Sequence, residues 1–459
     1  MSTRRRAEAA ALALALLAGC AGPRPEPPAA AAVTPPAAWR GAAPSEGDVQ
    51  ARWWEAFGDP GLSRLVDSAL ANNVDVALAA ARLEELAAQA RLAQAQRLPE
   101  VDGGFGKQRE RSINPAFGVP ELQTASEWVL QASYDVDLFG RLRQADAAAR
   151  ATLLATRAAQ ADVRLAVAAG AARGWFALRA LDARLATLRA TLEARRATLR
   201  VVGRRAGAGY ASKLELAQAE AEEQATAQQL PATELAIRRT EDALCVLLGD
   251  TPHAIERGGA PGATLPGVPA ALPSALLRRR PDIVEAEERV VAADRALDAA
   301  RAAFMPDVKL AASFGEARSS LLPSNPIDVW SFGASVLAPL LDAGRLKAQE
   351  DAVAARRDAA AFAYRRTALK AFAEVEDALA ATEHARAQHE ALAAERGALE
   401  RALALAQRRY RAGYASFLEQ LDAQRQLLAV ELALAQSDAD RHDAAVALFQ
   451  ALGGGWDGS

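Results

Sequence analysis

The sequence predicts a mainly α protein with a membrane β component, built from long antiparallel coiled coils and internally duplicated. Three observations carry this. The 459 residues are 51% hydrophobic but only 5% aromatic, with alanine and leucine supplying most of the apolar content. That is the composition of long helices, not of compact α/β domains. Landmarks recur at a fixed offset: Gly140-Arg-Leu returns as Gly344-Arg-Leu, Gly209-Tyr-Ala-Ser as Gly413-Tyr-Ala-Ser, and Leu248-Gly as Leu452-Gly, each 204 residues on. Finally, ahead of each long helix the hydrophobic period changes from 3.6 to 2.

The balance of charge and chemistry narrows the function classes. A formal charge of −3, from 54 basic and 57 acidic side chains, removes the driving force for wholesale nucleic-acid binding. Two cysteines cannot build a disulfide framework, and four histidines leave little for catalysis or metal work. No Walker loop is present, and Gly207-Ala-Gly209 lacks both the third glycine of a dinucleotide fingerprint and a preceding strand. His384 and His389, five apart, do not stack on one helix face and read as exposed. Asp135 and Asp137 share a strand face and read as wetting groups, and Cys245 reads as a buried small hydrophobe. No enzyme is expected, and no cofactor beyond a covalent lipid.

Residues 1–19 have the form of a secretory signal: Arg4, Arg5 and Arg6, then an apolar stretch, then Leu17-Ala-Gly-Cys20. This matches a bacterial lipobox, so Cys20 is the expected lipidation site. Each buried methylene adds about 0.8 kcal/mol, which makes a multi-chain anchor effectively permanent. Ala21 is not the aspartate that retains lipoproteins at the inner membrane, which favours the outer one. Residues 20–50, rich in proline and alanine, are expected to be a lipidated tether without a core.

The first repeat is expected over 51–250 and the second over 274–454, joined by a Gly/Pro-rich linker at 251–273 and followed by a tail at 455–459. Each half reads as short helix, strand pair, long helix, tight turn, medium helix. From Arg141 to about Arg205 there is no proline, a run that spans roughly 95 Å as helix. Its partner runs from Arg345 to Arg411. Such rods must lie beside other helices in coiled-coil fashion. Gly170 and Gly174, four apart, would deepen one such contact or simply loosen the helix, and Pro231 should kink the returning helix of the first half only.

Strand pairs are expected at about 101–138 and 307–340. Trp128, Leu130, Ala132, Tyr134, Val136 and Leu138 make one apolar face, with Gln131, Ser133, Asp135 and Asp137 between them. Trp330, Phe332, Ala334 and Val336 repeat the pattern. Runs of about ten residues fit tilted membrane-spanning strands; the competing reading is an amphipathic hairpin on a soluble core. Four strands cannot close a barrel in lipid, so spanning strands require several chains. Two chains would give eight strands and three would give twelve, with room for a pore. Trp128 and Trp330 are candidates for the lipid interface.

Several motifs are similar to those of the outer-membrane efflux factor family, the TolC-like exit ducts, and within it the lipidated OprM/NodT-like subgroup. They are Trp53-Trp54 with Phe57-Gly-Asp-Pro-Gly-Leu62, Ala69-Leu-Ala-Asn-Asn73, Leu272-Pro-Ser-Ala-Leu-Leu-Arg-Arg-Arg-Pro-Asp-Ile283 and Glu374-Val-Glu-Asp-Ala-Leu379. The resemblance implies a homotrimer with a shared 12-stranded outer-membrane β-barrel, four strands per chain, on an α-helical barrel that extends into the periplasm. Such a trimer would be the passive exit channel of a tripartite pump. Its partners would be a periplasmic adaptor, an inner-membrane transporter (of proton-driven multidrug type) and outer-membrane lipid. Carried over by position, Glu419 and Asp422 would ring a periplasmic gate, and Tyr410 with Glu215 would form a tip latch. The turns holding Gly209, Tyr210, Ser212, Gly413, Tyr414 and Ser416 would contact the adaptor, with both serines able to cap the returning helices. The alternatives are a lipid-anchored periplasmic coiled-coil adaptor and a structural lipoprotein.

Overall fold

The computed structural model describes residues 23–40, 49–113, 118–257, 264–267, 273–321 and 323–456. Helices α1 (Pro60–Asn72) and α2 (Val74–Ala95) lead into strands β1 (Glu100–Ile113) and β2 (Pro120–Val136). Helix α3 (Arg141–Gly207) follows, with α4 (Lys213–Ala227) and α5 (Gln229–Leu247) returning. The second half repeats this order with α6 (Pro273–Arg279), α7 (Pro281–Ala302), β3 (Asp307–Ser319), β4 (Ile327–Leu337), α8 (Arg345–Arg411) and α9 (Phe417–Ala451). Helices α3 and α8 are each 67 residues long. Their starts share a device: Asp137 accepts from the backbone N–H groups of Leu142 and Arg143, and Asp342 from those of Gly344 and Leu346. Asp137 is thus a cap rather than a wetting group.

One compact unit comprises the described residues within 1–32, 82–157 and 285–366. It holds a four-stranded antiparallel sheet in the order β1-β2-β3-β4. The strands have 14, 17, 13 and 11 residues, longer than the expected ten because the hairpins continue past the apolar stretch into polar sequence such as Lys107–Arg111. All three ladders run without a bulge. The outer edges of β1 and β4 find no strand among the described residues.

The tether expectation needs correction. Residues 23–32 lie as a strap on this unit. The Arg24 guanidinium is 2.7 Å from Asp294 and 3.0 Å from Asp298. Buried Arg357 donates to the Pro25 and Glu26 carbonyls, and Arg365 to those of Ala30 and Ala32. A chain too poor in apolar side chains to form a core is held instead by its carbonyls, which proline-rich extended backbone leaves unpaired.

The other unit comprises the described residues within 33–81, 158–284 and 367–459. Its core joins Trp53, Trp54, Phe57 and Leu62 to Trp175, Phe176, Leu244 and Phe449. Trp53 stacks on Phe449 with ring centroids 5.5 Å apart. Buried Asp59 caps α1, accepting from the Gly61 and Leu62 N–H groups, and also accepts from Trp175 Nε1 at 2.9 Å. Gly174 lets α5 approach: a Cβ there would meet Leu244 Cδ2 at 2.5 Å, and one at Gly170 would meet Leu247 at 3.5 Å. Cys245 is fully buried, yet it also receives the His253 N–H on its sulfur. The described linker residues are tied down in turn, with Arg257 bridging Asp182 and Glu241.

Two of the sequence motifs prove to be ionic partners. Pro281 opens α7 at its first position, and Arg280 before it is buried. Its guanidinium binds Asp282 at 2.7 Å and Glu374 at 2.7 Å, and donates to the Ala451 carbonyl at 3.1 Å. The returning helix of the first half breaks at Gln228, while α9 runs 35 residues uninterrupted. Pro231 has no N–H for the carbonyl of Ala227, where α4 ends.

Replacing Asp59 with alanine removes a cap and strands the indole N–H of Trp175. A loss of about 2–4 kcal/mol is expected, read as a lower unfolding midpoint by circular dichroism.

Candidate functional site

The two hairpin turns are built alike. Gly209 and Gly413 have φ of +77° and +78°, a left-handed conformation that favours glycine. In each, the glycine N–H returns to the carbonyl three back, Ala206 or Tyr410, and the next N–H to the carbonyl five back, Arg205 or Arg409. This is the Schellman closure, at both ends of the 204-residue offset. It leaves Tyr210 and Tyr414 projecting, 80% and 81% exposed. Leu214 and Leu418 are exposed beside them, a second repeated pair that sequence reading missed although the offset held the signal. Ser212 caps α4, accepting from the Glu215 N–H at 3.1 Å; Ser416 makes no such bond, so the expected symmetry of caps fails there.

Behind the turns a small core gathers Val202, Ala219, Phe417 and Leu421, with Tyr410 packed on it. The Tyr410 ring is 5.5 Å from Phe417 and lies under the Arg205 guanidinium at 5.3 Å. Its hydroxyl has no hydrogen-bond partner, so the bond expected to Glu215 is not made in this chain. Burial pushes the phenol pKa up, the Glu215 charge adds to this and Arg205 opposes it, so Tyr410 stays protonated.

The hairpins are instead clasped deeper. Buried Glu222 on α4 binds Arg195 of α3 at 2.8 Å and Arg425 of α9, whose Nε donates at 2.6 Å. Arg195 also donates to the Glu222 carbonyl and to Thr226 Oγ1, both on α4. Glu419, Asp422 and Arg425 follow one another at three-residue spacing on α9, hence on one side of the helix. Glu419 is 3.6 Å from Arg409, and Asp422 accepts from Gln426 at 2.8 Å. Both carboxylates are exposed in the single chain.

On the sheet, the registers sort side chains cleanly by face. One face carries Val101, Gly103 and Phe105, then Trp128, Leu130, Ala132, Tyr134 and Val136, then Val308, Leu310, Ala312 and Phe314, then Trp330, Phe332, Ala334 and Val336. Trp128 meets Phe314 edge-on at 5.8 Å, and Phe105 is opposite Trp128 while Phe314 is opposite Trp330. These four rings end the apolar band; the next position toward the hairpin tips is Lys107, Ser126, Glu316 or Asp328. The other face is mostly polar or small, with Val129, Ile327, Val329 and Leu337 as its larger apolar side chains: Lys309 lies 3.4 Å from Asp135, and the hydroxyls of Ser313 and Ser331 are 2.8 Å apart.

Cys20 and the signal lie outside the described residues. Pro23, three residues on, accepts from Arg301 at 3.4 Å, one residue before α7 ends and six before β3 begins. His384 is exposed as expected, but His389 is half-buried against α9, where burial and Arg441 lower its pKa. No group of three or more histidine, cysteine or acidic side chains able to hold a metal occurs among the described residues.

The family described as outer membrane efflux protein matches residues 65–250 and 272–454. The pyoverdine export outer membrane protein OpmQ of Pseudomonas putida is 35% identical over 97% of this chain and 96% of its own length. The solvent efflux pump outer membrane protein SrpC of Pseudomonas putida is 36% identical over 88% of this chain and 87% of its own. A crystal structure of a membrane protein from Pseudomonas aeruginosa superposes with a TM-score of 0.84 at 32% identity, covering 93% of this chain and 99% of that one. The chain belongs to the outer membrane efflux protein family.

Proposed function

We propose that three copies of this chain form a lipid-anchored exit duct that conducts small molecules passively from the periplasm to the exterior. The observation that carries this is the four-stranded sheet with one apolar face, one mostly polar or small face and, among the described residues, two open edges. Three such sheets close a twelve-stranded barrel, lipid outside and water within. In this reading the duct docks through its tip turns to a periplasmic adaptor, which joins it to an inner-membrane transporter of the proton-driven multidrug type. Tyr210 and Tyr414, with Leu214 and Leu418, offer the adaptor paired apolar knobs on rigid glycine turns. The chain makes and breaks no covalent bond; the transporter supplies the energy. Relatives of near-equal similarity are named for pyoverdine export and for solvent efflux.

The lipid on Cys20 fits the strap. Three residues reach at most about 11 Å, and Pro23 is held beside the end of α7 from which β3 departs. Acyl chains on Cys20 would therefore enter the periplasmic leaflet beside the barrel. Mass spectrometry of the N-terminal peptide from membranes is expected to find a triacylated Cys20, and Cys20→Ser to abolish it. An unmodified wild-type cysteine would remove the anchor.

At the gate, Glu419 and Asp422 supply six carboxylates per trimer. Replacing both by alanine is expected to raise single-channel conductance about twofold at low salt and to cut cation preference about tenfold. Unchanged values would place the constriction elsewhere. Trp128 and Trp330 take the lipid interface on the outer side of the band.

Opening requires the second hairpin to leave the first, and the clasp at Glu222 is the contact that resists it. Removing Arg425 leaves Glu222 paired with Arg195, so the fold survives while the link to α9 is lost. For a half-exposed arginine the loss is about 1 kcal/mol, a fivefold shift toward the open tip. Arg425→Ala is therefore expected to raise open probability in planar bilayers more than Tyr410→Phe. The reverse order would return the latch to Tyr410 and Glu215.

A further inference from the structure

Beyond the four rings that end its apolar band, the lipid-side face of β1 becomes cationic. The next three residues on that face are Lys107, Arg109 and Arg111, opposite Ser126, Thr124 and Leu122. All three cations are exposed, and among the described residues no carboxylate pairs with them. Arg318 on β3 lies on the same face, opposite Ser126, and is engaged by Glu316 at 3.0 Å. The acids of that face, Glu316 and Asp328, are opposite each other on β3 and β4. The acids of β1, namely Glu100, Asp102 and Glu110, all fall at the alternate positions, on the polar face. Charge on this strand is thus divided by face.

Edge protection is the plain explanation for charges on β1, since lysine and arginine discourage unwanted strand pairing. It needs charge but no sidedness, and it would be served as well by the acids. Sidedness asks for a partner that meets one face only. What meets this face is lipid, because it continues the apolar band without a register shift. The hairpin tips point away from the helices and so toward the cell exterior. The cations therefore stand at headgroup level in the outer leaflet, whose glycolipid carries phosphate. Successive positions on one face are about 6.8 Å apart, so the three cations track about 14 Å of headgroup depth. Guanidinium forks match phosphate oxygens in pairs, and lysine adds a point charge.

We propose that Lys107, Arg109 and Arg111 form a binding surface for the phosphate groups of lipopolysaccharide. This rests on the reading that the sheet spans the outer membrane, so trimer formation and insertion into vesicles are scored first; failure there would sink that reading instead. The test uses the detergent-purified trimer, with bisphosphorylated lipid A and its dephosphorylated form as probes, and native mass spectrometry of the bound lipid. The wild-type trimer is expected to prefer the phosphorylated lipid by at least about tenfold. The triple variant Lys107→Gln/Arg109→Gln/Arg111→Gln should lose that preference, whereas Glu110→Gln on the opposite face should keep it. If the triple variant fails to assemble, Arg109→Gln and Arg111→Gln are read singly, each expected to lower the preference. A wild-type trimer indifferent to phosphate, or variants that keep the full preference, would overturn the assignment.

Discussion

A backbone N–H or C=O left unpaired in hydrocarbon costs several kcal/mol, and a sheet edge exposes a row of them. In this protein β1 and β4 each offer such an edge, over 14 and 11 residues. No loop of the chain covers them among the described residues. Closure with other copies is the one arrangement that satisfies both edges while keeping the apolar face in lipid. Much else answers to that requirement. The three ladders run without a bulge, so the faces keep their sidedness from end to end. The duplication supplies two hairpins of the same sense, and helices leave the sheet at matching points through the aspartate caps Asp137 and Asp342.

Away from the membrane, the chain is poor in aromatic side chains and holds itself together with guanidinium groups. Arg280 gathers Asp282, Glu374 and the Ala451 carbonyl; Arg357 and Arg365 hold the strap by its carbonyls; Arg195 and Arg425 share Glu222. Alanine-rich helices bury little area per residue, so their packing specifies position weakly. Forked charged donors, satisfied on several sides, specify it sharply. The compact aromatic cluster around Trp53, Trp175 and Phe449 is the exception, and it is fastened by Asp59.

Much of this architecture was legible beforehand. Proline-free runs marked both long helices within a few residues, and period-two alternation identified the apolar face of β2 and β4. The glycine pair at the turns announced identical backbone geometry because only glycine takes that conformation without strain. Other features were hidden by their nature. The strap carries no periodic apolar signal, since it is held through backbone carbonyls that every residue possesses. The pairing of Arg280 with Glu374, and the clasp of Arg195 and Glu222 with Arg425, join residues far apart in sequence, which no local pattern encodes. Ser212 and Ser416 look alike in sequence, yet only Ser212 turns its hydroxyl to the helix. At the tip, Tyr410 and Glu215 come near each other without bonding, a matter of side-chain placement that motif position alone cannot fix.

The interruption at Gln228 bears on mechanics. One returning helix lacks a backbone bond at its middle, while its counterpart α9 is continuous. In the trimer proposed above, three interrupted returning helices and three continuous ones would share the load. Under a load that widens the proposed duct, the interrupted helices would yield before the continuous ones, like an iris with every second blade hinged.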